Sequence, residues 1–260
     1  MARTFAIGDI HGDLRHLDRL LAKLPPLQPS DTVVFLGDYI DRGPQSLQVV
    51  ERVETLRSTE CCKVVTLRGN HEDAWLESLR DPNPGFLLPE TNGCRAFLRS
   101  VVDVSHLDDL QQTLLLLQPK GWVPEGLQTW MSELLLWYED EHAIYVHAGL
   151  EGEDDVWLHP SQSRPRCILW MREPDFFLRY AGKTLLFGHT DTSTLPADGD
   201  PRTPDHVRSV WRRGPLVGLD TGCGKGGHLS AIELPGFRVY DSRSKRAARS
   251  RCTGCSIRAG

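Results

Sequence analysis

No run in this 260-residue chain approaches the roughly 18 consecutive apolar residues that a bilayer-crossing helix requires, so no membrane partner is expected. No internal repeat is visible, which sets aside architectures assembled from tandem units. Nor is there the charged start and long apolar core of a secretory signal. Met1-Ala-Arg leads directly into a short apolar run, and a cytoplasmic location is expected. A disulfide framework is missing as well. The seven cysteines, at positions 61, 62, 94, 167, 223, 252 and 255, are odd in number and scattered, which fits a reducing compartment.

Acidic residues are absent from Ser242 onward, where Arg243, Lys245, Arg246, Arg249, Arg251 and Arg258 supply six positive charges. Setting these six aside from the 30 basic and 35 acidic residues leaves residues 1–241 at −11, against −5 for the whole chain. A body of that sign argues against nonspecific nucleic-acid binding outside the tail. Residues 242–260 are therefore expected to be a basic, disordered tail, either an arm for an acidic partner or simply a solvated end. Cys252 and Cys255 have metal-ligand spacing, but one such pair without a second pair or histidines is weak evidence for zinc.

What the sequence does contain is three short blocks of one grammar. Gly8-Asp9-Ile10-His11-Gly12, Gly37-Asp38-Tyr39-Ile40-Asp41-Arg42-Gly43 and Arg68-Gly69-Asn70-His71-Glu72 each follow an apolar run and open onto a helix-like segment. The runs Arg3–Ile7, Thr32–Leu36 and Lys63–Leu67 suit buried parallel strands. Leu14, Leu17, Leu20, Leu21 and Leu24 form an apolar stripe at helical spacing that stops at Pro25-Pro26, so the opening reads βαβ. Loops at the carboxyl ends of parallel strands converge on one sheet edge, which brings Asp9, His11, Asp38 and Asn70 together. Two later apolar runs, beginning at Ala143 and Thr184, end in His147 and Gly188-His189.

A lone Asp-x-His or Asn-His pair would read as a turn or a helix cap. Five blocks, each after a strand, do not share that explanation. The collection of two aspartates, one asparagine and three histidines, with no thiolate, suits manganese, iron or zinc. Six ligands exceed what one tetrahedral ion needs, and a carboxylate can bridge, so two divalent ions are expected. Such a pair can activate water and clamp both the attacking and leaving oxygens of phosphoryl transfer.

The chain resembles the calcineurin-like metallophosphoesterases, and within them the phosphoprotein-phosphatase branch, especially bacterial serine/threonine phosphatases. The three blocks carry the resemblance together with Val146-His-Ala-Gly149, Trp170-Met-Arg172, Gly188-His-Thr190 and Leu219-Asp-Thr-Gly222, spanning about residues 4 to 234. It implies an α/β fold, a β-sandwich flanked by helices. It also implies that Asp9 and His11 hold one ion, that Asn70, His147 and His189 hold the other, and that Asp38 bridges them. Arg42 and Arg172 match the family's phosphate clamps, His71 its general acid and Asp41 the partner that orients that acid. Planar guanidinium groups suit the clamp because they donate paired hydrogen bonds to phosphate oxygens.

With 40% hydrophobic residues the chain can bury one large core, and a single domain over residues 1–241 is expected. Between residues 81 and 141 the strand–turn–helix rhythm gives way to leucine-rich stretches, which read as a mainly helical cap insert. Trp122, Trp130 and Trp137 there could line a substrate groove, although aromatics at such spacing more often build core. Two substrate classes fit the resemblance, a phosphoprotein carrying phosphoserine or phosphothreonine and a dinucleoside polyphosphate such as diadenosine tetraphosphate. Asp41-Arg-Gly and Asn70-His-Glu look more like the protein-phosphatase side, whereas Asp220-Thr-Gly-Cys-Gly-Lys-Gly-Gly227 resembles the nucleotide hydrolases. The first class is placed ahead. A non-catalytic binding module is the third reading, and every site position it would have lost is filled.

Overall fold

The three apolar runs that precede the glycine-bounded blocks form short parallel strands in the computed structural model, which describes residues 2–153, 156–196 and 208–244. In chain order the described strands are β1 Thr4–Ile7, β2 Thr32–Phe35, β3 Lys63–Thr66, β4 Trp137–Glu139, β5 Ile144–Val146, β6 Gly152–Glu153, β7 Val156–Trp157, β8 Leu185–Phe187, β9 Trp211–Arg213, β10 Leu216–Gly218, β11 Ser230–Leu234 and β12 Arg238–Asp241. The helices are α1 Leu14–Leu21, α2 Ser46–Thr59, α3 Asn70–Ser78, α4 Pro84–Leu87, α5 Cys94–Val101, α6 Asp109–Leu116, α7 Glu125–Glu133, α8 Pro165–Trp170 and α9 Pro174–Arg179. The basic tail from residue 245, with Cys252 and Cys255, lies outside the described residues.

Ten of these strands make two five-stranded sheets, ordered β12-β11-β1-β2-β3 and β4-β5-β8-β10-β9. Strict alternation along each central strand decides which side chain enters which layer. Ala6, Val34, Leu36 and Val65 point inward from the first sheet to meet Tyr145, Leu186 and Val217 of the second. Their neighbours Phe5, Ile7, Val33 and Phe35 point outward, onto the apolar faces of α1, α2, α3, α5 and α7. On the far side Ile144, Val146, Leu185, Phe187 and Leu216 take Ile168 of α8 and Phe176 and Phe177 of α9. The result is a mixed α/β sandwich, two sheets face to face with helices outside.

Between residues 81 and 141 the chain builds α4 to α7 before entering β4. The tryptophans of this stretch pack instead of lining an open groove. Trp130 stands edge-on to Tyr39 and donates to Glu54, while Trp122 meets Trp75 and Phe97. Trp137 is half-buried against His159. No helix among the described residues is long and apolar enough to cross a membrane.

Both sheets place the carboxyl ends of their parallel strands at the same edge. β1, β2 and β3 run parallel, as do β5, β8 and β10, and the loops after them carry all the histidine and aspartate blocks. Strand β11 extends the first sheet antiparallel to β1, with Ile7 opposite Ala231, and β12 forms its edge.

Candidate metal centre

The loops after β1, β2 and β8 at that edge are held in backbone conformations that their sequences do not favour. Among the described residues only six non-glycine positions have positive φ, and five are His11 (48°), Asp38 (55°), Asp41 (70°), Arg42 (66°) and His189 (62°). Such conformations cost on the order of 1–3 kcal/mol each and persist only where surroundings enforce them. Here the loops enforce one another. The N–H groups of Ile10 and His11 both donate to the Asp38 carbonyl, at 3.0 and 2.9 Å. A side chain at Gly188 would collide with the Asp9 carboxylate, and one at Gly69 with that of Asp38.

Glu72, the third residue of α3, fastens the second loop. Its Oε1 accepts from the N–H groups of Tyr39 (2.9 Å) and Ile40 (3.3 Å), and its Oε2 from those of Asp38 and Gly69, both 3.0 Å. Burial and the Asp38 charge push its carboxyl up to about 8, against the N–H groups of Tyr39, Gly69 and Asp38, which favour the carboxylate.

The ring orientations follow from acceptor chemistry. A carbonyl oxygen can only accept, so His11 Nδ1 donates to Ile40 at 3.0 Å and His147 Nδ1 donates to Leu36 at 2.8 Å. In the neutral rings this turns each Nε2 lone pair toward the centre. Burial drives His11, His147 and His189 toward the neutral form, with Arg42 adding to the effect on His11, His71 on His147 and Arg172 on His189. Neutral imidazole is the form that ligates a metal.

The residues fit a pair of cations. His147 Nε2 faces Asn70 Oδ1 at 2.9 Å with the amide oriented as assigned, and both atoms are acceptors. Two lone pairs at that separation are repulsive unless a cation lies between them. His189 Nδ1 lies 2.8 Å from the same oxygen, so three donor atoms surround one point. Asp38 turns Oδ2 to His11 Nε2 and Oδ1 to His147 Nε2, each at 3.4 Å, and so faces two ligand groups at once. Asp9 Oδ2 stands 4.0 Å from His11 Nε2.

Charge gives the same answer. For Asp38, burial acts to raise the pKa, but His147, His71 and His11 outweigh it and hold the carboxyl well below its usual range. For Asp9, burial, then Asp220 and Asp38, outweigh Lys225 and the His189 N–H and push it well above that range. Lys225, 3.1 Å from Asp220, is too little positive charge for three buried carboxylates. Divalent ions among these ligands would supply the rest.

Beside the cluster, His71 Nδ1 donates to Asp41 Oδ2 at 2.6 Å, and His71 Nε2 lies 3.9 Å from Asp38 Oδ2. Arg42 reaches His11 Nε2 and is held from behind by the carbonyls of Thr91 and Gly93. Arg172 Nη2 donates to the His189 carbonyl at 3.2 Å. The ten residues singled out from the sequence thus meet at one edge. Glu72, Asp220 with Lys225, Trp75 and Cys94 also build the site, and the sequence assigns them no role. For Glu72 a signal was present, because an acidic residue three positions after a helix N-cap is placed to take loop N–H groups.

Residues 2–192 match the family model described as calcineurin-like phosphoesterase. Bis(5'-nucleosyl)-tetraphosphatase PrpE [asymmetrical] of Anoxybacillus flavithermus is 27% identical over 250 residues, 88% of this chain and 89% of that protein. The serine/threonine-protein phosphatase 6 catalytic subunit of Drosophila melanogaster is 38% identical over 65 residues, 25% of this chain and 21% of that protein. Among solved structures, that of a candidate diadenosine tetraphosphatase superposes with a TM-score of 0.57 at 21% identity, covering 92% of each chain.

Proposed function

The chain belongs to the calcineurin-like phosphoesterases, and from that premise we propose that it is a metal-dependent serine/threonine phosphoprotein phosphatase. Asp9 and His11 would hold one divalent ion and Asn70, His147 and His189 the other, with Asp38 between them; manganese is the first choice. Ions bound there activate water and offset phosphate charge.

The remaining work falls to the chain's own side chains. Arg42 and Arg172 take the non-bridging phosphate oxygens, as planar forks that match phosphate geometry. His71 delivers a proton to the departing oxygen from Nε2, while Asp41 accepts the Nδ1–H and fixes the ring.

The observation that carries the substrate class is the 2.6 Å contact between His71 and Asp41. A serine or threonine alkoxide is a poor leaving group and needs a proton as the ester bond breaks. A nucleoside polyphosphate leaves as an already stabilised anion and needs none. A buried, oriented proton donor therefore favours the alkyl phosphoester. The second reading, a dinucleoside polyphosphate hydrolase, is supported by the Anoxybacillus relative, which aligns over nearly the full length of both chains.

Parallel hydrolysis of a phosphoserine peptide, a phosphotyrosine peptide and diadenosine tetraphosphate, at equal enzyme and manganese, separates the two through the ratio of specificity constants. The phosphoserine peptide is expected to lead. A lead for diadenosine tetraphosphate would replace this reading with the second.

A further inference from the structure

A cavity of about 500 Å³ opens beside Arg172, bounded by the β6–β7 hairpin on one side and α8 on the other. That volume is in the ~300–1,000 Å³ range of small-ligand sites. It adjoins the metal centre, because Arg172, which lines it, also donates to the His189 carbonyl, and the Trp170 ring in its wall lies 6.1 Å from the His189 ring.

Its lining carries one net positive charge in a chain whose body is net acidic. Arg164, Arg166 and Arg172 face it, with Glu151 and Glu173 as the acidic members. Glu151 is already committed: its Oε1 lies 2.9 Å from Arg164 Nη2 and its Oε2 accepts the Arg164 N–H at 3.1 Å. Arg166 is exposed, and among the described residues no carboxylate pairs with it. Met171 and Trp170 supply an apolar wall for the rest of an occupant.

We propose that this cavity is a substrate subsite for an acidic side chain flanking the phosphorylated residue, with Arg166 as its specificity-determining cation. The occupant is anionic, because an exposed guanidinium without a carboxylate partner among the described residues lines a cavity that adjoins the metal centre. It is also separate from the scissile phosphate, because the lining arginine that contacts the metal centre is Arg172, through the His189 carbonyl, and not Arg166. The proposal rests on the phosphoprotein reading for the identity of the occupant, but binding of the anion can be measured without peptide turnover.

Two paired assays test it in manganese-loaded enzyme. In the first, phosphothreonine peptides identical except for glutamates or glutamines on both flanks are compared by specificity constant. The wild type is expected to prefer the acidic peptide by about three- to tenfold through KM, the range between an exposed ion pair and a charged hydrogen bond. Arg166→Gln should abolish the preference and Arg166→Glu should reverse it, while hydrolysis of p-nitrophenyl phosphate stays at the wild-type rate in both. In the second, unphosphorylated versions of the same peptides compete against p-nitrophenyl phosphate, and the acidic one should inhibit more strongly in wild type but not in Arg166→Gln. Equal inhibition by both peptides in the wild type would overturn the subsite. Stronger inhibition by the acidic peptide with no peptide turnover would keep the subsite and overturn the phosphoprotein reading instead.

Discussion

Asp41 receives the Nδ1–H of His71 across 2.6 Å while the indole Nε1 of Trp75 donates to both of its oxygens, at 3.1 and 3.0 Å. Its backbone N–H is held in turn by Ser46 Oγ at 3.0 Å. All three side chains are buried, and Trp75 is itself wedged between Phe86, Phe97 and Trp122. The proton carrier is therefore oriented by a carboxylate that cannot turn, which is the arrangement a general acid requires.

His71→Asn should lower turnover of a phosphoserine peptide by roughly 10²–10⁴ with metal content unchanged, the usual contribution of a positioned proton donor. The loss should shrink on p-nitrophenyl phosphate, whose phenolate leaves without help. Steady-state kinetics on both substrates, with metal analysis of the same preparation, check this. An equal loss on both would remove His71 from the acid role.

Changing Arg42 or Arg172 to Lys keeps the charge and loses the fork. Turnover should fall, and orthophosphate, which presents the same oxygens, should inhibit each variant less than the wild type. Unaltered orthophosphate inhibition in both variants would make these arginines structural.

Glu72→Gln places an amide N–H₂ where two of four backbone N–H groups now find an acceptor. Donor would face donor, so a loss of about 1–3 kcal/mol in unfolding free energy is expected, the scale of a buried donor left without a partner. Urea denaturation of both proteins measures it. A midpoint equal to the wild type would show that the four contacts do not hold the second loop.

Much of this edge was legible because its parts are local. Each of the three blocks sits directly after its strand, and glycines at the turns mark where the backbone must bend, so Asp9, His11, Asp38 and Asn70 could be gathered from strand order alone. His147 and His189 were legible for the same reason. What could not be read is pairing across sequence distance. Asp220 adds its charge to Asp9 from more than two hundred residues away, and Trp75 and Cys94 find Asp41 only through the packing of α3 against α5. The role of Glu72 depends on loop N–H groups pointing at it, which requires the positive φ of Asp38. Trp122 and Trp130 could be either groove or core by spacing, and only tertiary contacts place them in core.

The centre itself is tested most directly by Asp38→Asn with bound metal and turnover read on one sample. The amide keeps the shape but removes the charge that faces both His11 and His147. Elemental analysis should find less than the wild-type metal content, and phosphoester hydrolysis should be abolished, as it should be in wild type stripped with EDTA until manganese is restored. Two ions per chain with ordinary turnover in Asp38→Asn would contradict the account.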